Sequence, residues 1–193
     1  MPDFPDIIRV QQSFDRTRIE GVDATVRQEL ARLDLPGCIN HGDTVAVTAG
    51  SRGITDIDQI LLSTVDYLRS IGAEPFLVPA MGSHGGGTAE GQLDVLESLG
   101  ITTASMGCPI RASMDTVVLG KSPDGITIHF DRHASEADHV LVCGRVKVHT
   151  MFDGPYQSGL MKMLLTGLGK CTGATTYHQA FDEFSFDHVV ETV

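Results

Sequence analysis

Hydrophobic and polar residues alternate in blocks along the chain, and the blocks predict strands and helices in turn. The segment DTVAVTA, 43–49, is rich in small and β-branched residues, as a buried strand is, and ends at Gly50. Apolar residues at helical spacing then predict a helix over 56–72, with Gly72 as its stop. The segment EPFLVPA, 74–80, predicts a second buried strand.

The same alternation continues through the rest of the chain. Further helices are predicted over 22–34, over 88–99 with Thr88 as N-cap, and over 158–168. Further strands are predicted over 115–119, 126–130 and 139–144, with the turn signal SPDG between the first two. This order indicates an α/β fold, a Rossmann-like three-layer domain with a mainly parallel sheet flanked by helices. We expect residues 1–193 to form a single domain, the N-terminal part of a longer two-domain protein.

Three loops follow predicted strands at the edge of the sheet where ligands collect: 50–55, 80–88 and 144–158. The second contains GSHGGGT, which surrounds His84 with glycines that allow a close approach to the backbone. Backbone N–H groups at a helix N-terminus suit a phosphate, although no Walker lysine follows. A tight turn that carries a surface histidine is the alternative interpretation.

Two cationic side chains are candidates for binding or chemistry. Arg52, in the loop after the first strand, suits bidentate capture of a carboxylate, and a solvated surface arginine is the alternative. Lys162 lies on an apolar helix face, LMKML. It either extends from the helix flank into solvent or is held in an apolar pocket that lowers its pKa.

Composition restricts the classes of partner. The chain has 14 Lys and Arg against 25 Asp and Glu, a net charge of −11. It therefore has no electrostatic footprint for nucleic acid and no basic amphipathic segment for a membrane surface. Any anionic ligand needs a locally built site. The four cysteines are widely spaced and form neither a disulfide framework nor a zinc ribbon, and we expect a cytoplasmic protein.

Three motifs in order, AMGSHGGGTAEGQ, RVKVHT and SGLMKMLLTGLGK, resemble the N-terminal domain of the nickel-dependent lactate racemase family. They resemble more closely its homologues of undefined substrate, and the resemblance covers about 43–179. It implies a racemase or epimerase of a small 2-hydroxy acid, in which a hydride moves to a nickel-pincer mononucleotide tethered to a lysine. It also implies a C-terminal domain of the same protein that completes the active site.

The resemblance gives roles to His84 and His149 as proton acceptors, Lys162 as cofactor tether with Lys170 as its alternative, Gly85 and Gly86 beside the cofactor, His178 as nickel ligand and Arg52 as carboxylate clamp. Racemisation by hydride transfer needs a base on each side of the carbon, which accounts for two histidines. The chain departs from the family in AGSRGIT, which lacks the aspartate of the family's Asp-x-x-Arg-Pro-type motif.

Two other functions remain open from the sequence. One is a nucleotide- or phosphate-binding α/β domain without nickel, with the glycine loop as its anion cradle. The other is a non-catalytic descendant of the family, in which the candidate residues do not converge on one cavity. The isolated chain is expected to be inactive and to lack cofactor, and a homo-oligomer is left open.

Overall fold

The structure, a computed structural model, describes residues 8–14, 18–51, 53–148 and 154–193, so that Arg52 and His149 lie outside the described residues. Its helices and strands are α1 (Val22–Ala31), β1 (Thr44–Ala49), α2 (Ile57–Ser70), β2 (Glu74–Pro79), α3 (Ala89–Ser98), α4 (Thr103–Met106), β3 (Thr116–Lys121), β4 (Thr127–Asp131), α5 (Arg132–Ser135), β5 (His139–Leu141), α6 (Leu160–Lys162), α7 (Lys170–Ala180) and α8 (Phe186–Thr192). A π-helical turn, Met163–Gly167, continues α6. None of the described helices is long and apolar enough to cross a membrane.

The main sheet has three parallel strands in the order β2-β1-β5. The chain leaves β1 on one side to form β2 and later returns to its other side as β5. The strand order therefore reverses at β1, which is the point where ligands bind in open α/β sheets. The paired ends of β1 and β2, Ala49 beside Pro79, bring the loops that follow them to one edge.

Both faces of this sheet are buried, which confirms the three-layer α/β fold. One face of β1 and β2 packs against α2, α3 and the segment after α3, through Val45, Val47, Leu77, Leu61, Leu68, Leu96 and Ile101. The other face packs against α5 and the chain after the π-helical turn, through Ala46, Phe76, Val78, Ala134 and Leu168. Continuous apolar strands are what a sheet covered on both sides requires.

An antiparallel hairpin, β3 with β4, is a second small sheet beside the main one. The Tyr177 hydroxyl, on α7, accepts a hydrogen bond from the His129 N–H at 2.9 Å and donates one to the His129 carbonyl at 3.1 Å. This pair of bonds fixes α7 to β4. Helix α8 contributes Phe186, Val189 and Val190 to the apolar cluster that also contains Tyr177.

A buried ion pair joins α7 to both sheets. The Lys170 ammonium lies 2.6 Å from Asp131 Oδ2 at the end of β4 and donates to the Pro79 carbonyl at 2.6 Å, at the end of β2. Both side chains are excluded from solvent, since their exposed fractions are 0% and 1%. Lys170 also adopts a left-handed backbone conformation, with φ 55°, where α7 begins.

The predicted helix over 158–168 is wrong in form and the predicted strand over 139–144 is wrong in length. The helix is one short α-helical turn followed by the π-helical turn. The strand ends at Leu141, because the Thr48 hydroxyl, not a backbone group, binds both the N–H and the carbonyl of Cys143.

The N-cap role of Thr88 is confirmed, since its hydroxyl accepts from the Gly91 N–H at 3.0 Å.

We predict that Lys170→Met lowers the free energy of unfolding by about 3–5 kcal/mol, because it leaves the Asp131 carboxylate buried without its cation. Urea unfolding followed by circular dichroism measures the change. Lys121→Met, the same substitution at an exposed lysine on β3, is the control and should change stability by about 0.5 kcal/mol or less. A loss no larger for Lys170→Met than for the control contradicts the prediction.

Candidate functional site

A cavity of about 300 Å³ lies at the carboxyl edge of the main sheet. Its lining comes from the loops after β1, β2 and β5 and from α6 with the π-helical turn, and includes Ser51, Met81, His84, Arg145, Lys147, Ser158, Lys162 and Thr166. His84 and Lys162, which are far apart in the sequence, thus line the same space. Arg52 and His149 fall in segments outside the described residues.

Glycines at this edge allow backbone to pack against backbone. A Cβ on Gly82 would lie 2.9 Å from the Thr166 carbonyl, and a Cβ on Gly167 would lie 2.8 Å from the Ala80 carbonyl. The strand ends and the π-helical turn therefore approach each other closely, and side chains at these positions would separate them. A Cβ on Gly85 would likewise lie only 2.5 Å from the Gly91 backbone, so Gly85 and Gly91 also pack closely.

His84 is exposed, and its ring nitrogen Nδ1 lies 2.6 Å from the Ser51 hydroxyl oxygen. Its N–H donates to the Met81 carbonyl at 3.1 Å, and its own carbonyl accepts from the Gly87 N–H at 3.3 Å. Both the backbone and one ring nitrogen of His84 are therefore held by the protein. A histidine with one nitrogen fixed in this way presents the other in a defined direction.

Gln92, in α3, holds the glycine loop from beneath, and sequence reasoning gave it no role. It is fully buried, and its amide nitrogen donates to the Gly82 carbonyl at 2.8 Å and to the His84 carbonyl at 3.4 Å. The signal in the sequence was a polar residue at a buried position of a helix that directly follows the loop. A buried amide nitrogen needs acceptors, and here two loop carbonyls are the acceptors.

The cavity is locally cationic although the chain is acidic. Partial burial lowers the pKa of Lys162 below the ordinary lysine value, and the nearby charge of Lys147 lowers this pKa further. Arg145 donates a hydrogen bond to the Gly53 carbonyl and so connects the chain after β5 to the loop after β1. Three cationic side chains around one cavity favour an anionic ligand.

His178 lies in a neighbouring depression of about 380 Å³ whose lining also includes Ser83, Gln179 and Asp182. Its Nδ1 donates to the Ala174 carbonyl at 2.5 Å, which leaves the lone pair on Nε2. This is the tautomer in which a histidine can bind a metal through Nε2. The loop residue Ser83 lines this depression while its neighbour His84 lines the cavity, so that the two spaces adjoin across one loop.

Within the described residues, no group of three or more His, Cys, Asp or Glu side chains could hold a metal ion. A metal at His178 would therefore need further donors besides these side chains. Gly85 and Gly86 are absent from the described lining of both spaces, and a Cβ on Gly86 would meet nothing within 4 Å. Their role beside a cofactor stays a prediction.

The fold and the site together define a class of protein: a three-layer α/β domain with a cationic ligand cavity at the carboxyl ends of its parallel strands. Residues 6–185 match the lactate racemase N-terminal domain family. The chain belongs to this family. A search of curated proteins found no match.

We predict that Gln92→Leu lowers the free energy of unfolding by about 1–3 kcal/mol, because the buried Gly82 carbonyl loses its hydrogen-bond donor. Residues 82–88 should also exchange their amide hydrogens faster, since the loop loses its anchor. Urea unfolding and hydrogen-exchange mass spectrometry measure the two effects. The control is Gln28→Leu at an exposed position of α1, and equal effects in the two variants contradict the prediction.

We predict that Lys162 reacts with acetic anhydride at neutral pH faster than the exposed Lys121. A lowered pKa leaves a larger fraction of the amine neutral and nucleophilic at a given pH. Peptide mass spectrometry after brief labelling compares the two sites in one sample. Lys147→Ala should slow labelling at Lys162, because removal of the like charge raises its pKa. Equal labelling at the two lysines contradicts the prediction.

Proposed function

We propose that this protein is a racemase or epimerase of a small 2-hydroxy acid that works with a nickel-pincer mononucleotide tethered to Lys162. The observation that supports the proposal best is that His84 and Lys162 line one cavity at the switch point of the sheet. Membership of the lactate racemase N-terminal domain family supports the same reaction class. The substrate is proposed only as a class.

The substrate carboxylate would bind among the cationic side chains of the cavity. Arg145 and Lys147 supply positive charge there, and Arg52 keeps its proposed role as carboxylate clamp. In a chain with a net charge of −11, such a local cluster is what an acid substrate requires. A fixed carboxylate would hold the substrate in place while its α-carbon changes configuration.

His84 would accept the proton of the substrate hydroxyl group. It is exposed toward the cavity, its backbone is anchored by Gln92, and its ring is held by Ser51. His149 is proposed to do the same from the opposite side of the α-carbon, which a racemase requires because protons must be exchanged on both faces. His149 follows β5 in the sequence, and Arg145 and Lys147, which come between the two, line the cavity.

The cofactor, when bound, would supply an acceptor for the hydride of the α-carbon. Lys162 fits the role of tether because its amine lies at the cavity with a lowered pKa, as covalent attachment needs. The tautomer of His178, with its proton on Nδ1, suits a nickel ligand that binds through Nε2. His178 lies across the glycine loop from the cavity.

Lys162 is a better candidate for the tether than Lys170. The Lys170 amine is fully buried, lies 2.6 Å from Asp131 Oδ2 and donates to the Pro79 carbonyl. An amine engaged in both contacts is not available for covalent attachment, and its removal from the pair would leave a buried carboxylate. Lys162, in contrast, is only partly buried and lines the cavity.

The C-terminal domain of the same protein is proposed to cover the mouth of the cavity. Apolar side chains next to the cavity are exposed: Val146 at 78%, Val148 at 80%, Leu160 at 45% and Met161 at 40%. Exposed apolar side chains grouped in this way are typical of a surface that another domain contacts. The isolated chain would then bind weakly and turn over slowly.

The observations favour this proposal over a phosphate cradle in the glycine loop. A cradle needs backbone N–H groups that point to the ligand. The N–H groups of Gly82, His84, Gly87 and Thr88 already donate to carbonyls of the protein, so that these four do not point to a ligand. The convergence of His84 and Lys162 likewise argues against a non-catalytic descendant, in which the candidate residues would lie apart.

We predict that the protein, co-expressed with the enzymes that build the cofactor, gains the mass of the cofactor and binds nickel. Lys162→Ala should lose both, because the tether is covalent. Intact-mass spectrometry with nickel analysis measures the result. Lys147→Ala, a second lysine of the same cavity, is the matched control and should keep the added mass.

The proposed cofactor is excluded if no mass is added in a preparation where a known racemase matures. Added mass that survives Lys162→Ala and disappears in a second variant, Lys170→Arg, would move the tether to Lys170. Circular dichroism of each variant separates loss of the cofactor from loss of the fold.

A further inference from the structure

The contact between Ser51 and His84 can have two chemically different forms. At 2.6 Å, either the ring Nδ1–H donates to the Ser51 hydroxyl oxygen, or the Ser51 hydroxyl donates to an unprotonated Nδ1. In the first form the lone pair of the neutral ring is on Nε2. In the second form Nε2 carries the proton and cannot accept another. The two forms therefore differ in whether His84 can act as a base through Nε2.

The arrangement of the sheet brings these two residues together. β1 ends at Ala49 and β2 at Pro79, which are paired in register, and the Ala80 N–H donates to the Ala49 carbonyl at 2.9 Å. Ser51 therefore follows β1 at the level where the glycine loop leaves β2. Gln92 donates to the carbonyl of His84 and so restrains its backbone. The contact with the Ser51 hydroxyl restricts rotation of the His84 ring.

The charges of the cavity favour the first form. Arg145, Lys147 and Lys162 line the same cavity as His84. A ring that borders on cationic groups is more stable with a lone pair toward them than with a second N–H toward them. An acceptor at Nδ1 also stabilises the imidazolium that forms after proton uptake, because Nδ1–H donates in both protonation states.

We propose that Ser51 is a positioning residue that holds neutral His84 in the Nδ1–H tautomer, so that Nε2 is the atom that accepts the substrate's hydroxyl proton. The role in proton transfer rests on the proposed function, whereas the tautomer is a property of the chain alone. Ser51 comes directly before Arg52 in the motif AGSRGIT, in which Ala49 stands three positions before the arginine, where the family has an aspartate. A neutral acceptor fixes the ring without adding a negative charge to an anion site.

Nitrogen-15 NMR of the histidine rings tests the proposal on the 193-residue chain. At about pH 8.5, two units above the usual histidine pKa, the ring nitrogens report which one carries the proton. We expect Nδ1–H for His84 in the wild type, with His84→Gln to assign its signals. Ser51→Ala should lower the ratio of Nδ1–H to Nε2–H about three- to tenfold, the change that one net hydrogen bond supports.

Ser51→Thr, which keeps the hydroxyl, should retain the wild-type ratio. His178 is an internal control, since its Nδ1 is held by the Ala174 carbonyl and its signals should not move in either variant. A predominantly Nε2–H form in the wild type overturns the proposal, and so does a ratio that Ser51→Ala leaves unchanged. The expected tautomer without cofactor attachment in the mass experiment would leave this inference standing and reject the proposed function.

Discussion

The buried ammonium of Lys170 is the interaction on which the site region depends most. A single cation binds the Pro79 carbonyl, at the end of β2, and lies against the Asp131 carboxylate, at the end of β4. An unpaired charge in this position would cost several kcal/mol, so the two sheets and α7 cannot separate locally without a large loss of stability. The chain also accepts a left-handed conformation at Lys170, at a cost of about 1–3 kcal/mol, to place the amine there.

The position of the cavity follows from this constraint. The π-helical turn ends at Gly167, with two residues between it and Lys170, and it packs onto the ends of β1 and β2, where Gly82 and Gly167 permit contact between backbones. A π-helical turn offsets the side chains that follow it, and such turns are frequent at functional sites. Lys162 comes just before this turn and so lies at the cavity, whereas Leu165 and Leu168 point into the apolar clusters.

Much of the fold could be predicted because its information is local. The strands at 43–49 and 74–80 and the helix over 56–72 were recognisable from periodicity, and Thr88 from its place before an apolar pattern. The end of β5 was not predictable, since it depends on the Thr48 side chain from a strand 95 residues earlier. The same is true of α7, whose hydrophobic pattern is weak and whose first residue is held by a distant carboxylate.

The candidate site was predictable to a similar extent. Composition and motifs pointed to His84 and Lys162, which share a cavity, but could not reveal Ser51 or Gln92, whose roles exist only after the chain has folded. Two lysines eight positions apart show the limit clearly. Each comes two positions after a leucine, yet one is held in a buried ion pair and the other has a lowered pKa at a cavity. Neighbours supplied by the fold, and not the local sequence, decide which amine is available for chemistry.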